Sequence, residues 1–182
     1  GNRLRSMIDF LEKKFSIKIK FEEENLQNNF VKKYIIEKKI LKISNSLSRE
    51  SKEFLIAHQL GLIIGKDSIE AKLEREGITD NNTLALGKTV LANYFASCLL
   101  MPYDSFLKYS KKHRYDIDTL SNKFETSFEQ VCHRLTTLQK PGNKGIPFHF
   151  MRVDIAGNVS KRFSLSGLKI PRYSVACPRW NV

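Results

Sequence analysis

Cysteine, proline and long apolar runs are scarce in this sequence. Its 182 residues include three cysteines and five prolines. The cysteines, Cys98, Cys132 and Cys177, form no CxxC pair, which argues against a disulfide framework and against a self-contained zinc knuckle. Such a set fits the reducing cytoplasm, where we expect the protein to act.

No apolar run approaches the roughly 20 residues that span a bilayer. The best candidate, residues 91–101, is interrupted by Asn93 and Ser97. Residues 1–5 lack the apolar stretch and the small-residue cleavage site of a signal peptide. We therefore predict neither a membrane span nor export.

Basic residues outnumber acidic ones by 31 to 19, which gives a formal net charge of +12. The lysines recur in scattered doublets such as Lys13-Lys14 and Lys111-Lys112. Scattered doublets are typical of a solvated surface, but they also fit an anionic partner, either nucleic acid or a phosphorylated ligand. Hydrophobic residues make up 41% of the chain, which is enough to bury a core.

Hydrophobic spacing predicts a helix and a small sheet at the start of the chain. Apolar residues recur at helical spacing over residues 4–15. They alternate with charged residues over 16–21, as in a half-buried strand, and residues 30–36 and 39–44 are further strand candidates joined by a short charged turn.

Two apolar helices are predicted next. Residues 49–64 carry apolar side chains on almost every face, and Ser48 is a suitable N-cap. After a polar connection, a second apolar helix covers about residues 83–100 and is stopped by Pro102. We expect these two helices to form the core.

The last third of the chain reads as two short helices and a hairpin. Residues 116–138 predict a helix pair split near Thr126, with Ser127 and Gln130 as a capping box. Residues 147–165 alternate in polarity around a Gly157-Asn158 turn, which predicts a β-hairpin. The second helix has an expected buried stripe of Phe128, Val131, Leu135 and Leu138. The fold class that follows is α+β, with a helical core, a small sheet and a C-terminal hairpin.

Two phrases in the middle of the chain resemble a known family. Residues 54–62 read FLIAHQLGL and residues 92–102 read ANYFASCLLMP. Both are similar to the ImmA/IrrE metallopeptidases, whose HExxH helix precedes a second helix that ends in such an alanine-rich phrase. The resemblance spans about residues 16–138 and implies a zincin-like domain.

The zinc site that this resemblance implies is degenerate. His58 stands at the first histidine, but Gln59 replaces the general-base glutamate and Leu62 the second histidine, while Thr89 stands at the third ligand position. A catalytic zinc ion needs about three protein ligands, and a glutamine cannot take a proton from water. We therefore predict no bound metal, no catalytic residue and no enzymatic activity, with His58 hydrogen-bonded or lining a pocket.

A second resemblance covers residues 92–182. Residues 127–142, 145–148, 152–158 and 177–182 are similar to phrases of the short-chain fatty acyl-coenzyme A regulators, the ScfR group. The resemblance implies a bacterial transcription factor of the XRE type that responds to short-chain acyl-CoA. It also implies an N-terminal helix-turn-helix and a C-terminal remainder outside this sequence. Residues 1–139 are then the degenerate peptidase domain, and residues 140–182 begin a β-rich sensor region.

Coenzyme A presents phosphates, an adenine and a thin acyl tail, so its site needs cations beside a flat apolar surface. No other cofactor is expected. The hairpin supplies the required residue types, namely Phe148, Phe150, Arg152, Lys161 and Arg162. A vestigial cleft beside His58, Gln59 and Tyr94 offers a second candidate pocket. The side chains at both places also fit a packing role.

Two other functions stay open from the residues. The helix pair at 116–138 has helix-turn-helix spacing and could place Glu129, His133 and Arg134 in a DNA groove. A working zinc peptidase is the weaker alternative. The preferred prediction is an acyl-CoA sensor that forms a homo-oligomer, controls carbon or fatty-acid metabolism genes, and meets DNA through a domain outside this chain.

Overall fold

The computed structural model describes residues 3–23 and 30–164. Helices dominate and two small sheets accompany them, so the predicted α+β class is confirmed. The helices are Arg3–Phe15 (α1), Arg49–Ile64 (α2), Lys66–Arg75 (α3), Asn81–Leu100 (α4), Tyr103–Lys112 (α5), Ile117–Phe124 (α6) and Phe128–Thr136 (α7). The strands are Lys18–Glu22 (β1), Lys32–Ile35 (β2), Ile40–Ser44 (β3), His149–Val153 (β4) and Val159–Ser164 (β5).

The chain divides into two compact units after Pro102. The first unit holds α1 to α4 and the three-stranded sheet, and the second holds α5 to α7 and the hairpin. The predicted domain division after residue 139 follows the two sequence resemblances, not compactness, and it stays a prediction. Leu165 and Cys177 lie outside the described residues, as does the phrase 177–182.

Helix α2 is the centre of the first unit and has the predicted bounds. The Ser48 hydroxyl accepts a hydrogen bond from the Ser51 amide, which satisfies one of the free N–H groups of the first turn. Ile56 and Ala57 are fully buried. They pack with Leu11 of α1 and Leu41 of β3 in one hydrophobic core.

Glycine lets α4 approach α2 closely. A Cβ atom on Gly61 would lie 2.9 Å from Cδ1 of Phe95, which is closer than packed atoms tolerate. Ala92 and Ala96 of α4 are fully buried, whereas Leu86 on the same helix is exposed. Helix α4 therefore contributes one face to the core, and only α2 is buried on most sides.

Helix α4 is longer than the apolar run read from the sequence. It has 20 residues and a mean hydropathy of 1.3, so by length and composition it could cross a membrane. The prediction of no membrane span rests on residues 91–101 and does not take residues 81–90 of this helix into account. One such helix is weak evidence, since a core helix meets the same criteria, and Lys88 of α4 forms an ion pair with Glu70 of α3.

The sheet of the first unit has strand order β1-β3-β2. The central strand β3 runs parallel to β1 and antiparallel to β2. Leu41 and Ile43 of β3 point into the core and are fully buried, as the alternation of a half-exposed strand requires. Strand β2 is an edge strand of this sheet.

Two helices were missed by the sequence reading. Helix α3 buries only Ile69 and Leu73, so its ten residues read as a polar connection. Helix α5 begins directly after Pro102 and buries Phe106 and Leu107. Proline ends a helix but is also favoured at a helix start, and only the first role was considered.

The second unit confirms the helix pair and the hairpin. Ser127 and Gln130 form the predicted capping box at the start of α7. Val131, Leu135 and Leu138 are buried, but Phe128 is 55% exposed, so its assignment to the buried stripe was wrong. Phe128 is the first residue of the helix and points out of the first turn instead of into the core.

Candidate functional site

Two polar clusters fall on predicted site residues, one in each unit. The first lies where β2 faces the helix that carries the degenerate motif. The Lys32 ammonium group lies 2.8 Å from Nδ1 of His58 and donates a hydrogen bond of 3.3 Å to Oε1 of Gln59. His58 and Gln59 are buried and Lys32 is half-buried. His58 and Gln59 thus hold a side-chain amine between them.

Burial tunes the charges of this first cluster. It lowers the pKa of Lys32 to about 8. Burial first, and then the nearby Lys32 charge, lowers the pKa of His58 to about 4. At neutral pH His58 is therefore uncharged, and its Nδ1 lone pair can accept a hydrogen bond from the Lys32 ammonium group.

The residues around this cluster do not fit a catalytic zinc ion. Leu62 offers no ligand atom, and the Thr89 hydroxyl donates to the Ala85 carbonyl oxygen at 3.0 Å. Within residues 3–23 and 30–164, no three His, Cys, Asp or Glu side chains are grouped as a metal site. The positive charge beside His58 is the ammonium group of Lys32.

A buried carboxylate fixes α2 one turn before the cluster. Glu53 is 1% exposed and accepts hydrogen bonds from Nε of Arg3 at 2.7 Å and from Nε of Arg49 at 3.1 Å. Arg3 also donates to the carbonyl oxygen of Leu100 at the end of α4. This network joins α1, α2 and α4, and it holds the helix that presents His58 and Gln59.

The second cluster lies where the hairpin meets α7. Arg152 of β4 and Lys161 of β5 are cross-strand partners. Arg152 forms an ion pair with Glu129 of α7 at 3.2 Å, and Lys161 forms a second ion pair with the other oxygen of the same carboxylate. These hydrogen bonds hold the pKa of Glu129 below its ordinary value, chiefly through Lys161. Two cations therefore share one anion on this face of the hairpin.

Aromatic side chains adjoin this cationic pair. The His133 ring of α7 lies 4.7 Å from the Phe150 ring and 5.4 Å from the Phe163 ring, measured between centroids. Burial, and then the Lys161 charge, lowers the pKa of His133. Phe148 packs on Tyr115 at 5.3 Å. The flat apolar surface expected on the hairpin is thus present, and protein rings cover part of it.

The predicted ligand residues belong to both units, and within the hairpin they lie on two faces. Phe150, Arg152 and Lys161 share one face of the hairpin, whereas Arg162 pairs with Met151 on the opposite face. His58 and Gln59 share Lys32. Tyr94 is 46% exposed on α4.

Sequence reasoning missed Lys32. In an alternating strand Lys32 shares a face with Tyr34, which packs against the core, while Lys33 points outwards. A lysine on the apolar face of a strand was the available signal, and it was overlooked among the many surface lysines.

The residues proposed for DNA reading are used within the second unit. Glu129 pairs with the hairpin, His133 packs on Phe150, and Arg134 is fully buried with its guanidinium group 5.6 Å from the Tyr103 ring centroid. Base reading needs side chains that project from the helix into a groove. These three side chains do not provide that surface.

Comparison with known proteins gives two family matches. A family model described as "IrrE N-terminal-like domain" matches residues 12–136. A second, described as "Short-chain fatty acyl coenzyme A regulator, C-terminal", matches residues 137–182.

Among curated proteins, the chain is 41% identical over 142 residues to the propionyl-CoA carboxylase regulator of Cereibacter sphaeroides, covering 78% of this chain and 31% of that protein. It is 36% identical over 176 residues to the HTH-type transcriptional regulator PrpR of Mycobacterium tuberculosis, covering 97% of this chain and 36% of that protein. The chain therefore spans about a third of the length of the curated relatives it matches.

A solved structure shares the fold. A Mycobacterium tuberculosis transcriptional regulator superposes with a TM-score of 0.88 at 35% sequence identity. The match covers 99% of this chain and 55% of that one.

Proposed function

Because the chain belongs to the IrrE N-terminal-like domain family and its last part to the short-chain fatty acyl-coenzyme A regulators, we propose that it is the ligand-sensing core of a bacterial transcriptional regulator. Its ligand is a short-chain acyl-CoA, and its targets are genes of carbon or fatty-acid metabolism. The regulator acts in the cytoplasm as a homo-oligomer and meets DNA through a helix-turn-helix outside this chain.

The observation that supports this proposal most is the second cluster. Arg152 and Lys161 present guanidinium and ammonium groups side by side, next to the rings of Phe150 and Phe163. Phosphate oxygens form charge-assisted hydrogen bonds with such groups, and a neighbouring aromatic surface suits an adenine. The cluster combines the two residue types that a coenzyme A needs.

Glu129 gives this cluster a way to report binding. In the free chain its carboxylate occupies both cations. Ligand phosphates compete for the same two groups, so binding releases Glu129 and with it the tie between α7 and the hairpin. A ligand can shift a conformational equilibrium only through such a difference in contacts between two states.

We propose no peptidase activity for this domain. Its ancestral reaction needs a metal-bound water and a carboxylate base, and Gln59 supplies no base while Leu62 supplies no ligand. His58 serves instead to hold Lys32. The DNA-reading alternative through residues 116–138 is not retained, since Glu129, His133 and Arg134 are committed to contacts within the second unit.

Thermal unfolding in the presence of ligands tests the proposal. We expect the midpoint to rise with acetyl-, propionyl- and butyryl-CoA in an order set by tail length, and to rise less with free coenzyme A, since a ligand that binds only the folded state stabilises it. Identical midpoints with and without all four compounds would contradict the proposal.

Two matched variants locate the site on the hairpin. Arg152→Gln should weaken acyl-CoA binding by about tenfold, which is the loss expected for one charge-assisted hydrogen bond. Arg162→Gln removes the same charge on the other face of the hairpin and should have a smaller effect. Equal losses of affinity in the two variants would contradict a binding site on the face that carries Arg152. Phe148, Tyr94, His58 and Gln59 stay predictions that the same titration can test.

A further inference from the structure

We propose that Lys32 is a site at which a short-chain acyl-CoA thioester acylates this chain. The inference rests on the proposed function only for the source of the thioester. It concerns the first polar cluster, which the ligand face on the hairpin does not use. The product is an N-acyl-lysine on β2.

The geometry distinguishes Lys32 from its neighbour Lys33. Its amine lies 2.8 Å from Nδ1 of His58 and 3.3 Å from Oε1 of Gln59, so it is held in one orientation. It lies on an edge strand and is half-buried. Its neighbour Lys33 lies on the opposite face of the same strand and is exposed.

The chemistry requires only groups that are present. The uncharged Lys32 amine attacks the thioester carbonyl carbon, a C–N bond forms and the C–S bond breaks. Coenzyme A departs as a thiolate and takes up the proton that the amine loses. The products are an amide and a free thiol, so atoms, protons and electrons balance without an oxidant or a reductant.

The surroundings of Lys32 favour this reaction. Burial lowers its pKa to about 8, so at pH 7.5 roughly a quarter of the amine is uncharged, against about a thousandth for an ordinary lysine. The lower basicity of the amine offsets part of that gain. We expect Lys32 to react about tenfold faster than Lys33.

Acylation would alter the cluster itself. An amide carries no charge and has one N–H group, whereas the ammonium has three. It cannot donate to both His58 and Gln59, so the link between β2 and α2 weakens. The modification would therefore leave a lasting mark of acyl-CoA exposure on the core of the first unit.

The test uses the wild-type chain incubated with propionyl-CoA, followed by tandem mass spectrometry of peptides that contain both lysines. Lys32 should be propionylated about tenfold faster than Lys33 in the folded chain, and the two rates should converge in urea. Equal rates in the folded chain, or a faster Lys33, would overturn the inference. No variant is needed, so a folding defect cannot confuse this result.

Two variants and one analogue complete the design. Lys32→Arg should lower propionyl incorporation over the 32–33 pair, whereas Lys33→Arg should not; the reverse order would contradict the assignment. A thioether analogue of propionyl-CoA binds without transferring its acyl group. If the analogue stabilises the chain but Lys32 is not acylated faster than Lys33, the acylation inference fails and the proposed function stands. If Lys32 is acylated selectively without stabilisation by the analogue, the inference stands and the ligand proposal fails.

Discussion

The two polar clusters of this protein are held in opposite ways. His58 and Gln59 belong to the buried helix α2, Lys32 of β2 packs against them, and Glu53 anchors that helix from inside the core. Arg152, Lys161 and Glu129 form their ion pairs on partly exposed side chains, between a helix and a hairpin. The first cluster is fixed by packing and the second by surface charges.

In the proposed function, this difference distinguishes a rigid scaffold from a ligand-binding face. Buried polar groups lose much free energy when a partner is removed, because the remaining group stays desolvated. Exposed ion pairs contribute little and exchange readily with water, salt or a ligand. The hairpin can therefore change partners on binding, while the core of the first unit keeps its shape.

The largest loss of stability is expected when the packing of the first unit is disrupted. Ile56→Ala removes a fully buried side chain from α2 and should lower the free energy of unfolding by about 3 kcal/mol. Ile64→Ala makes the same change at a half-exposed position of the same helix and should cost less than about 1 kcal/mol. Urea denaturation measures both. Similar losses at the two positions would mean that α2 is not the centre of the core.

A smaller loss is expected when the buried carboxylate is neutralised. Glu53→Gln weakens the hydrogen bonds from Arg3 and Arg49 and should cost about 2 kcal/mol. Glu70→Gln breaks an exposed pair with Lys88 and should cost much less. If the Glu53 variant is as stable as the Glu70 variant, Glu53 does not anchor α2.

The buried His58 should make the stability of the first unit depend on pH. Its pKa is about 4 in the folded chain and lies near 6.5 when unfolded, so the unfolded chain binds more protons between those values. Stability therefore falls as pH falls from 6.5 to 4, by about 1 kcal/mol once solvent screening is allowed for.

His58→Asn should remove that contribution from the pH profile. The difference between the wild-type and variant profiles isolates it from the other titrating groups. Parallel profiles across this window would show that His58 is not desolvated as described.

The smallest effect on stability is expected at the hairpin. Glu129→Gln breaks two exposed ion pairs and should change the free energy of unfolding by about 0.5 kcal/mol or less. The same variant should bind acyl-CoA more tightly, because Arg152 and Lys161 no longer have to leave a carboxylate. A large loss of stability would instead make the hairpin part of the rigid scaffold.

Much of the fold could be predicted because local signals agreed with it. Ser48 and the Ser127–Gln130 box mark helix starts through their own hydrogen bonds. Helix α3 escaped prediction because it buries very few side chains, so its helical period is weak, whereas α5 follows Pro102, a residue type that marks helix starts as well as helix ends. Phe128 was misplaced because spacing alone does not show which residues of a first turn face the core.

The candidate sites were predicted only in part. The hairpin cations are predicted from residue type, but their pairing with Glu129 depends on contacts between residues 23 and 32 positions apart. Lys32 lies 26 positions from His58. No local pattern encodes such contacts, so the position of the Lys32 amine between His58 and Gln59 could not be predicted from the sequence.

Calorimetric titration of propionyl-CoA into the wild-type chain and into Glu129→Gln shows whether the ligand competes with this carboxylate for the two cations. We expect saturable binding to the wild type and tighter binding to the variant, with both affinities falling as salt rises. Binding that is absent from both proteins, or equal in both and insensitive to salt, would contradict a ligand face built from Arg152 and Lys161.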